Sequence, residues 1–287
     1  MLCSTRPRRT NLGATVGHRR AVFVAVVLVV ASAAPLRSAS AAEVVQWAPA
    51  ATAAIHPGMQ TVAGDAQCTA NFVYTDKTGT VYIGQASHCT SNTGELAESG
   101  CTAESLPLGT AVTLGDSGVT GVLAYSSWLT MQRLGEKDEA TCFRNDFALI
   151  KLPSSAVAQV NPSVPVFGGP VGLATGGLPE GAAVVGYGNS GLRGGVEALS
   201  PQRGVSLGGD GTGWYYQVYM VPPGVPGDSG GGYLTGDGQA VGELVSVNGI
   251  PPGSNGLIDI GRALGYAQAH SGLKGLELVK GTEPFTR

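Results

Sequence analysis

The sequence predicts an all-β protein, arranged as one β-rich domain or two small barrels behind a cleavable leader. Three observations predict it. The 287 residues include 45 glycines and 17 prolines, and only 13% are charged. The apolar residues fall in short runs bounded by Gly and Pro: TANFVYT, TVYIG, TAVTL, GVLAY, AAVVGYG, WYYQVYMV and AVGELVSV. Many short strands at such spacing suit a sandwich or barrel rather than βαβ units. One good helical pattern occurs, late in the chain, around Gly261–Ala269 in IGRALGYAQAH.

The elements follow in order. Residues 1–20 carry Arg6, Arg8, Arg9, Arg19 and Arg20 and no acid; AVFVAVVLVV comes next, then SASAA near Ser38–Ala42. A basic start, a short apolar core and an Ala-rich cleavage site read as a signal peptide over residues 1–42. The apolar run falls short of the ~20 residues that span a bilayer. The Arg8-Arg9 pair leaves the export route open. Six arginines leave with the leader, so the mature chain has 11 basic against 20 acidic residues, a net charge of −9, and no basic run. That excludes a nucleic-acid partner, which wants a basic face. No later stretch is long and apolar enough for a membrane span, and a secreted monomer is expected. Residues 43–60, rich in Ala and Pro, read as a linker, a short pro-segment or an N-terminal arm. PSSAVAQVNPSVP, 153–165, is the expected connection between two halves, 61–155 and 163–287.

Cys3 goes with the leader, leaving Cys68, Cys89, Cys101 and Cys142. An even count in an exported protein reads as two disulfides with three possible connectivities; neighbour pairing, Cys68–Cys89 and Cys101–Cys142, is the expectation. Without a Cys-x-x-Cys pair, and with three mature histidines, no metal site is expected. Nothing calls for a cofactor.

The letters GDSG occur twice, around Ser117 in TLGDSGVTG and around Ser229 in VPGDSGGGY. Both are legitimate turns, because Gly, Asp and Ser are all turn formers. The first lies between two β-rich runs and reads as a hairpin loop. The second is approached through Pro222, Pro223 and Pro226 and followed by Gly230–Gly232. Proline-stiffened, glycine-rich backbone can turn its amides inward, so the Gly227 and Ser229 N–H groups can converge on an oxyanion. A hydrolytic serine needs a base. His56 sits in a turn-like IHPG and His270 follows the late helix, whereas His88, in GQASHCT, adjoins a cysteine whose disulfide would hold its backbone stiffly. Asp146 heads the alternating run FALIKL, where it can be buried and accept an imidazole N–H, or open the strand as an Asx turn.

SHC at 87–89, NDFALIKL at 145–152 and PGDSGGG at 226–232, in that order, resemble the three signatures of the chymotrypsin/trypsin-like serine peptidases, particularly the secreted bacterial branch. His88 and Asp146 are 58 residues apart and Asp146 and Ser229 are 83 apart, in keeping with that family. The resemblance spans about residues 67–262. It implies two antiparallel six-stranded β-barrels packed face to face, with the helix against the second. It further implies His88 as general base, Asp146 as its orienting acid, Ser229 as nucleophile, and Gly227 and Ser229 as oxyanion donors acting on polypeptide substrates. Cys68–Cys89 matches the bridge beside the family's catalytic histidine. Ser246, with Val247 and Asn248 where the family has Trp-Gly, corresponds to the cleft strand whose serine supports the catalytic aspartate.

The chain departs from the family in other respects. The pocket-base position six residues before the nucleophile is Pro223, and no acid lies between Tyr215 and Gly227; cleavage after Lys or Arg is not supported, and an uncharged or small side chain is the expectation. No cysteine follows Cys142, so the pocket disulfide is absent. Val62-Ala63-Gly64 faintly resembles an activating N-terminus but lies only six residues before Cys68. Asp228 is therefore expected to pair internally, with an arginine such as Arg193 or Arg203. Two alternatives stand beside the peptidase reading. One is an inactive secreted homologue that binds a partner. The other is an α/β-hydrolase-type esterase, in which Gly227–Gly231 forms a G-x-S-x-G elbow served by Asp237 or Asp259 and His270.

Overall fold

The computed structural model describes residues 45–91 and 99–287. The expected signal peptide lies outside the described residues. No helix among the described residues is long and apolar enough to cross a membrane.

The chain opens with β1 (Gln60–Ala63), β2 (Ala66–Thr69), β3 (Val73–Thr75), β4 (Val81–Gln85), β5 (Ala111–Leu114) and β6 (Thr120–Ser126). Two short helices, α1 (Ser127–Leu134) and α2 (Glu139–Arg144), precede β7 (Ala148–Lys151). The second half holds β8 (Gly172–Leu173), β9 (Ala183–Tyr187), β10 (Pro201–Gly209), β11 (Tyr215–Val221), β12 (Gly232–Thr235), β13 (Gln239–Asn248) and β14 (Ser254–Asp259). The helix α3 (Ile260–His270) and β15 (Glu277–Leu278) complete it.

The strands form two sheets, as the short-strand pattern predicts. In the second, β12 pairs with β9 on one side and β13 on the other, closing the ring β12-β9-β10-β11-β14-β13 into a six-stranded antiparallel barrel. Strand β8 adds to β13 in parallel. The first sheet runs β15-β3-β4-β7-β6-β5-β1-β2 and holds eight strands rather than six. The extra strands are the β1–β2 hairpin partner and the C-terminal β15, which returns from the second half to pair with β3. The tail then stays anchored: the Thr282 and Glu283 amides donate to Ser163 Oγ, and Phe285 packs over Gly238.

Alternation along the strands decides what is buried. β5 alternates exposed and buried throughout and β6 over its first four residues, sending Val112, Leu114 and Leu123 inward with Val73, Ile83 and Ile150 into one apolar cluster. Val184, Val218, Met220, Tyr233 and Leu257 fill the second barrel. The largest cluster crosses between them and joins Phe72, Tyr74 and Phe147 to Tyr187, Leu234 and Ile258. Burying each such side chain contributes roughly 1.5–3 kcal/mol, so the two halves are held as one body.

The first GDSG is a hairpin. Ser117 sits between β5 and β6, its N–H and Oγ both donating to Leu114 O at 3.1 and 2.6 Å. The disulfides pair as neighbours, Cys68–Cys89 with Cα atoms 6.0 Å apart and Cys101–Cys142 at 5.2 Å. The stretch expected as linker, pro-segment or N-terminal arm packs on the first half: Ile55 is fully buried, bridging to Val160, and Asn161 Nδ2 donates to Ala48 O at 2.7 Å. Helix α3 forms where the pattern places it, capped by Asp259, whose side chain accepts from Arg262 N.

Candidate active site

Two of the three segments singled out in the sequence line a cleft of about 330 Å³ between the two halves, with His88, Cys68, Cys89, Gly227, Ser229 and Leu244–Val247 among its residues, and Asp146 of the third is joined to it through His88. His88 lies in a short helical turn, Ser87–Thr90, that follows β4 and is tied to β2 by the Cys68–Cys89 bridge. Asp146 leads into β7, 8% exposed. One of its oxygens accepts the His88 backbone N–H at 2.8 Å and the other meets His88 Nδ1 at 2.6 Å. A carboxylate can only accept, so Nδ1 carries the proton and Nε2 presents its lone pair. Burial pulls the imidazole pKa down, but the charge and the hydrogen bond of Asp146 outweigh it, and the net displacement is upward. No hydrogen bond joins Ser229 Oγ to the imidazole among the described residues; both line the same cleft.

The loop around Ser229 is set from outside. Ser190 Oγ donates to Pro226 O at 2.5 Å, and Gly231 N donates to Asp228 O at 3.0 Å. In a trans peptide the N–H points away from its carbonyl. Fixing those two carbonyls therefore turns the Gly227 and Ser229 N–H groups the other way, and neither finds a protein acceptor among the described residues. Gly227 O is itself held by Thr69 Oγ1 at 2.9 Å and Gln67 Nε2 at 3.0 Å. At Gly227 φ is +94°, and a Cβ would lie 2.7 Å from Gln67 Oε1 and 2.8 Å from Ser190 Oγ. We predict that Gly227→Ala, which strains this conformation, lowers kcat for any hydrolysis at this cleft by about 10²–10³ while leaving the fold intact, the effect expected if the Gly227 N–H serves as an oxyanion donor; steady-state kinetics beside circular dichroism checks it.

Asp228 finds the arginine left open by the sequence. Arg193 Nε donates to Asp228 Oδ1 at 3.2 Å and Nη2 donates to Oδ2, with both side chains buried. Ser190 N, Val225 N and Gln202 Nε2 complete the carboxylate's partners. Arg203 instead stacks its guanidinium 4.7 Å from the Phe167 ring centroid. Val62 and Ala63 are strand residues of β1, paired with Gln67 and Ala66.

Other expectations are corrected. Ser246 lines the cleft, but its hydroxyl is turned to Tyr215 Oη at 3.0 Å and Asn248 Oδ1 at 2.9 Å and makes no hydrogen bond to Asp146 among the described residues. Val247 also lines the cleft, whereas Asn248 serves that hydrogen-bonded cluster behind it. Pro223 is not among the cleft-lining residues; its carbonyl accepts from Arg193 Nη2 at 3.1 Å. The esterase alternative fails on geometry. The Ser229 loop leads into β12 and not a helix, Asp259 is occupied by Tyr216 Oη and the α3 cap, and His270 packs on the Tyr266 ring at 4.5 Å. Cys68, His88 and Cys89 bring ligand-type atoms within 4.8 Å of one another, but both sulfurs are joined in the disulfide and offer no thiolate.

No protein-family model and no curated protein matches the chain. Solved structures of bacterial proteases do. The chain is similar to Thermobifida fusca protease A at 19% identity, covering 79% of this chain and 99% of that one, with a TM-score of 0.49. It is similar to Nocardiopsis protease at 19%, covering 78% and 98%, TM-score 0.49. Cellulomonas bogoriensis chymotrypsin aligns at 18%, covering 78% and 98%, TM-score 0.47.

Proposed function

We propose that the chain is a secreted serine endopeptidase acting through His88, Asp146 and Ser229. The observation that carries the reading is the His88 Nδ1–Asp146 Oδ2 pair at 2.6 Å, whose imidazole opens on the same cleft as Ser229. Serine is a weak nucleophile until a base takes its proton. His88 Nε2 accepts the Ser229 proton as Oγ attacks the scissile carbonyl carbon. The oxyanion is held by the Gly227 and Ser229 N–H groups. The imidazolium, stabilised by Asp146, passes the proton to the leaving amine, and the C–N bond breaks to leave an acyl-enzyme. Water, deprotonated by the same imidazole, attacks the ester carbonyl and releases the acid and Ser229.

An uncharged preference, as expected from the sequence, is supported by the cleft: Leu244, Val245 and Val247 form part of its wall, and Asp65 is the only carboxylate among the described residues that line it. Digestion of a peptide library tests activity and preference together. Cleavage after small or apolar residues is the expected result; cleavage after Lys or Arg alone, or none at all, contradicts it.

The upward displacement of the His88 pKa has opposite consequences for activity and stability. Activity needs the neutral imidazole, so kcat/KM rises with pH through a midpoint above the ordinary 6.5. The Asp146 interaction with imidazolium stabilises the fold fully below the unfolded pKa, and this contribution is lost as pH rises through the folded one. Asp146→Asn removes both upward influences and leaves burial, so we predict a midpoint below 6.5 and a kcat loss of about 10⁴. A pH–rate series on both proteins checks it; an unmoved midpoint contradicts the pairing.

A further inference from the structure

Behind the candidate triad lies a buried acid that the proposed chemistry does not use. Glu243, on β13, is fully buried. Its cross-strand neighbours are Gly232 and Ile258, neither of which carries a donor side chain. Asn71 Nδ2 donates to Oε2, and Oε1 meets no donor among the described residues. The Asn71 orientation is fixed independently, because its Oδ1 accepts from Phe72 N at 2.6 Å and Tyr74 Oη at 3.1 Å. No cation pairs with Glu243 among the described residues. An ionised carboxylate with one amide partner and a bare oxygen is a large desolvation cost.

The position of this acid gives it a role. Asn71 N donates to Gly84 O at 2.8 Å, on the strand that leads to His88. A Cβ on Gly84 would fall 2.1 Å from Asn71 Oδ1, so only glycine lets that amide in. The Tyr74 ring packs edge-on against Phe147, next to Asp146, with centroids 5.5 Å apart. Leu244, beside Glu243, accepts from Gly230 N at 2.6 Å and donates to Gly231 O at 3.0 Å, just past Ser229. The Glu243–Asn71 hydrogen bond thus links, across the two halves, all three segments that carry His88, Asp146 and Ser229.

We propose that Glu243 is held as a neutral carboxylic acid and is a positioning residue for the triad, hydrogen-bonded to Asn71 so that it fixes the two halves without adding a second negative charge beside His88 and Asp146. The inference rests on the peptidase reading for its catalytic consequence, though not for the protonation state. Among the described residues, the titratable groups facing Glu243 are Tyr74 and Asp146; those facing His88 are Asp146 and, in the cleft lining, Asp65. Burial first, and the Asp146 charge second, push the Glu243 pKa well up, in line with the geometry.

The test compares Glu243→Gln and Glu243→Ala in the full, disulfide-bonded chain. The titration midpoint of His88 is read by NMR of the labelled imidazole, and kcat with a peptide the wild type cleaves. Gln reproduces the shape and charge of a neutral acid. We expect it to leave the His88 midpoint within about 0.3 pH unit and kcat within about threefold, while Ala loses roughly 10–10²-fold in kcat. If Glu243 were ionised, Gln would remove a nearby charge and drop the midpoint by about one pH unit. That drop, or a Gln variant as impaired as Ala, overturns the proposal. The Gln variant decides alone should Ala fail to fold. A wild type that cleaves no peptide, with an unmoved midpoint in Glu243→Gln, overturns the peptidase reading and supports the neutral acid.

Discussion

Ser229→Ala and His88→Ala are each expected to lower kcat for peptide hydrolysis by about 10⁴–10⁶, with the fold and both disulfides retained. In the proposed mechanism the two side chains act as one unit, so the double variant should be little worse than either single one. Ser117 and His270 provide the controls. Ser117 has the same GDSG surroundings in sequence, but its hydroxyl is spent on Leu114 O in a hairpin. His270 lies at the end of α3 against Tyr266. Their alanine variants should retain activity within about twofold, since neither touches the cleft. Rates on one peptide substrate across the four variants check it; a Ser117 or His270 variant as inactive as Ser229→Ala contradicts the assignment.

The second large effect is on stability. Arg193→Ala strips Asp228 of the cation that reaches both of its oxygens and leaves a carboxylate only 1% exposed. Removing one partner of a buried pair costs about 3–5 kcal/mol, which in a chain of this size lowers Tm by roughly 10 °C. Activity falls as well, because Asp228 also accepts from Ser190 N and Val225 N, which shape the loop around Gly227. Adding Asp228→Asn to Arg193→Ala should recover part of the stability by removing the uncompensated charge, but not the activity. Arg203→Ala, which loses a stacking contact on Phe167, should cost no more than about 1 kcal/mol. Thermal melts of the three proteins decide; equal melting points for Arg193→Ala and Arg203→Ala would contradict the pairing.

Both effects fall on features of different legibility. The strands could be read because alternation is local: GVLAY and AVTL carry their inside and outside in their own letters. The triad candidates could be read because His88, Asp146 and Ser229 each sit in a distinctive local phrase. Helices α1 and α2 could not, since WLTMQR and ATCF are too short to display a helical period. Their signals are the caps, Ser126 and Gly135 around α1 and Asp138 before α2. The eighth strand of the first sheet was hidden because Glu277 and Leu278 pair with Thr75 and Tyr74, some 200 residues away in sequence.

Long-range partner choice is where sequence reasoning ran out. Arg193 and Arg203 were equivalent as letters; only the fold sets one against Asp228. Ser246 lies on a cleft strand, but its hydroxyl pairs with Tyr215, 31 residues earlier, a partner that no local pattern announces. Gln67, Thr69 and Ser190, which hold the loop carbonyls, carry no local signature at all. Glu243 did have one: a lone acid inside AVGELVSV, at a position where the strand is otherwise apolar.

The central claim is that Ser229 is an activated nucleophile. A fluorophosphonate reacts covalently with such a serine and with few others, and mass spectrometry of the digested adduct locates it. One adduct per chain is expected, on Ser229, formed at a rate that rises with pH through the His88 midpoint and absent from His88→Ala. No adduct on the folded, disulfide-bonded protein, or an adduct on another serine, would contradict it.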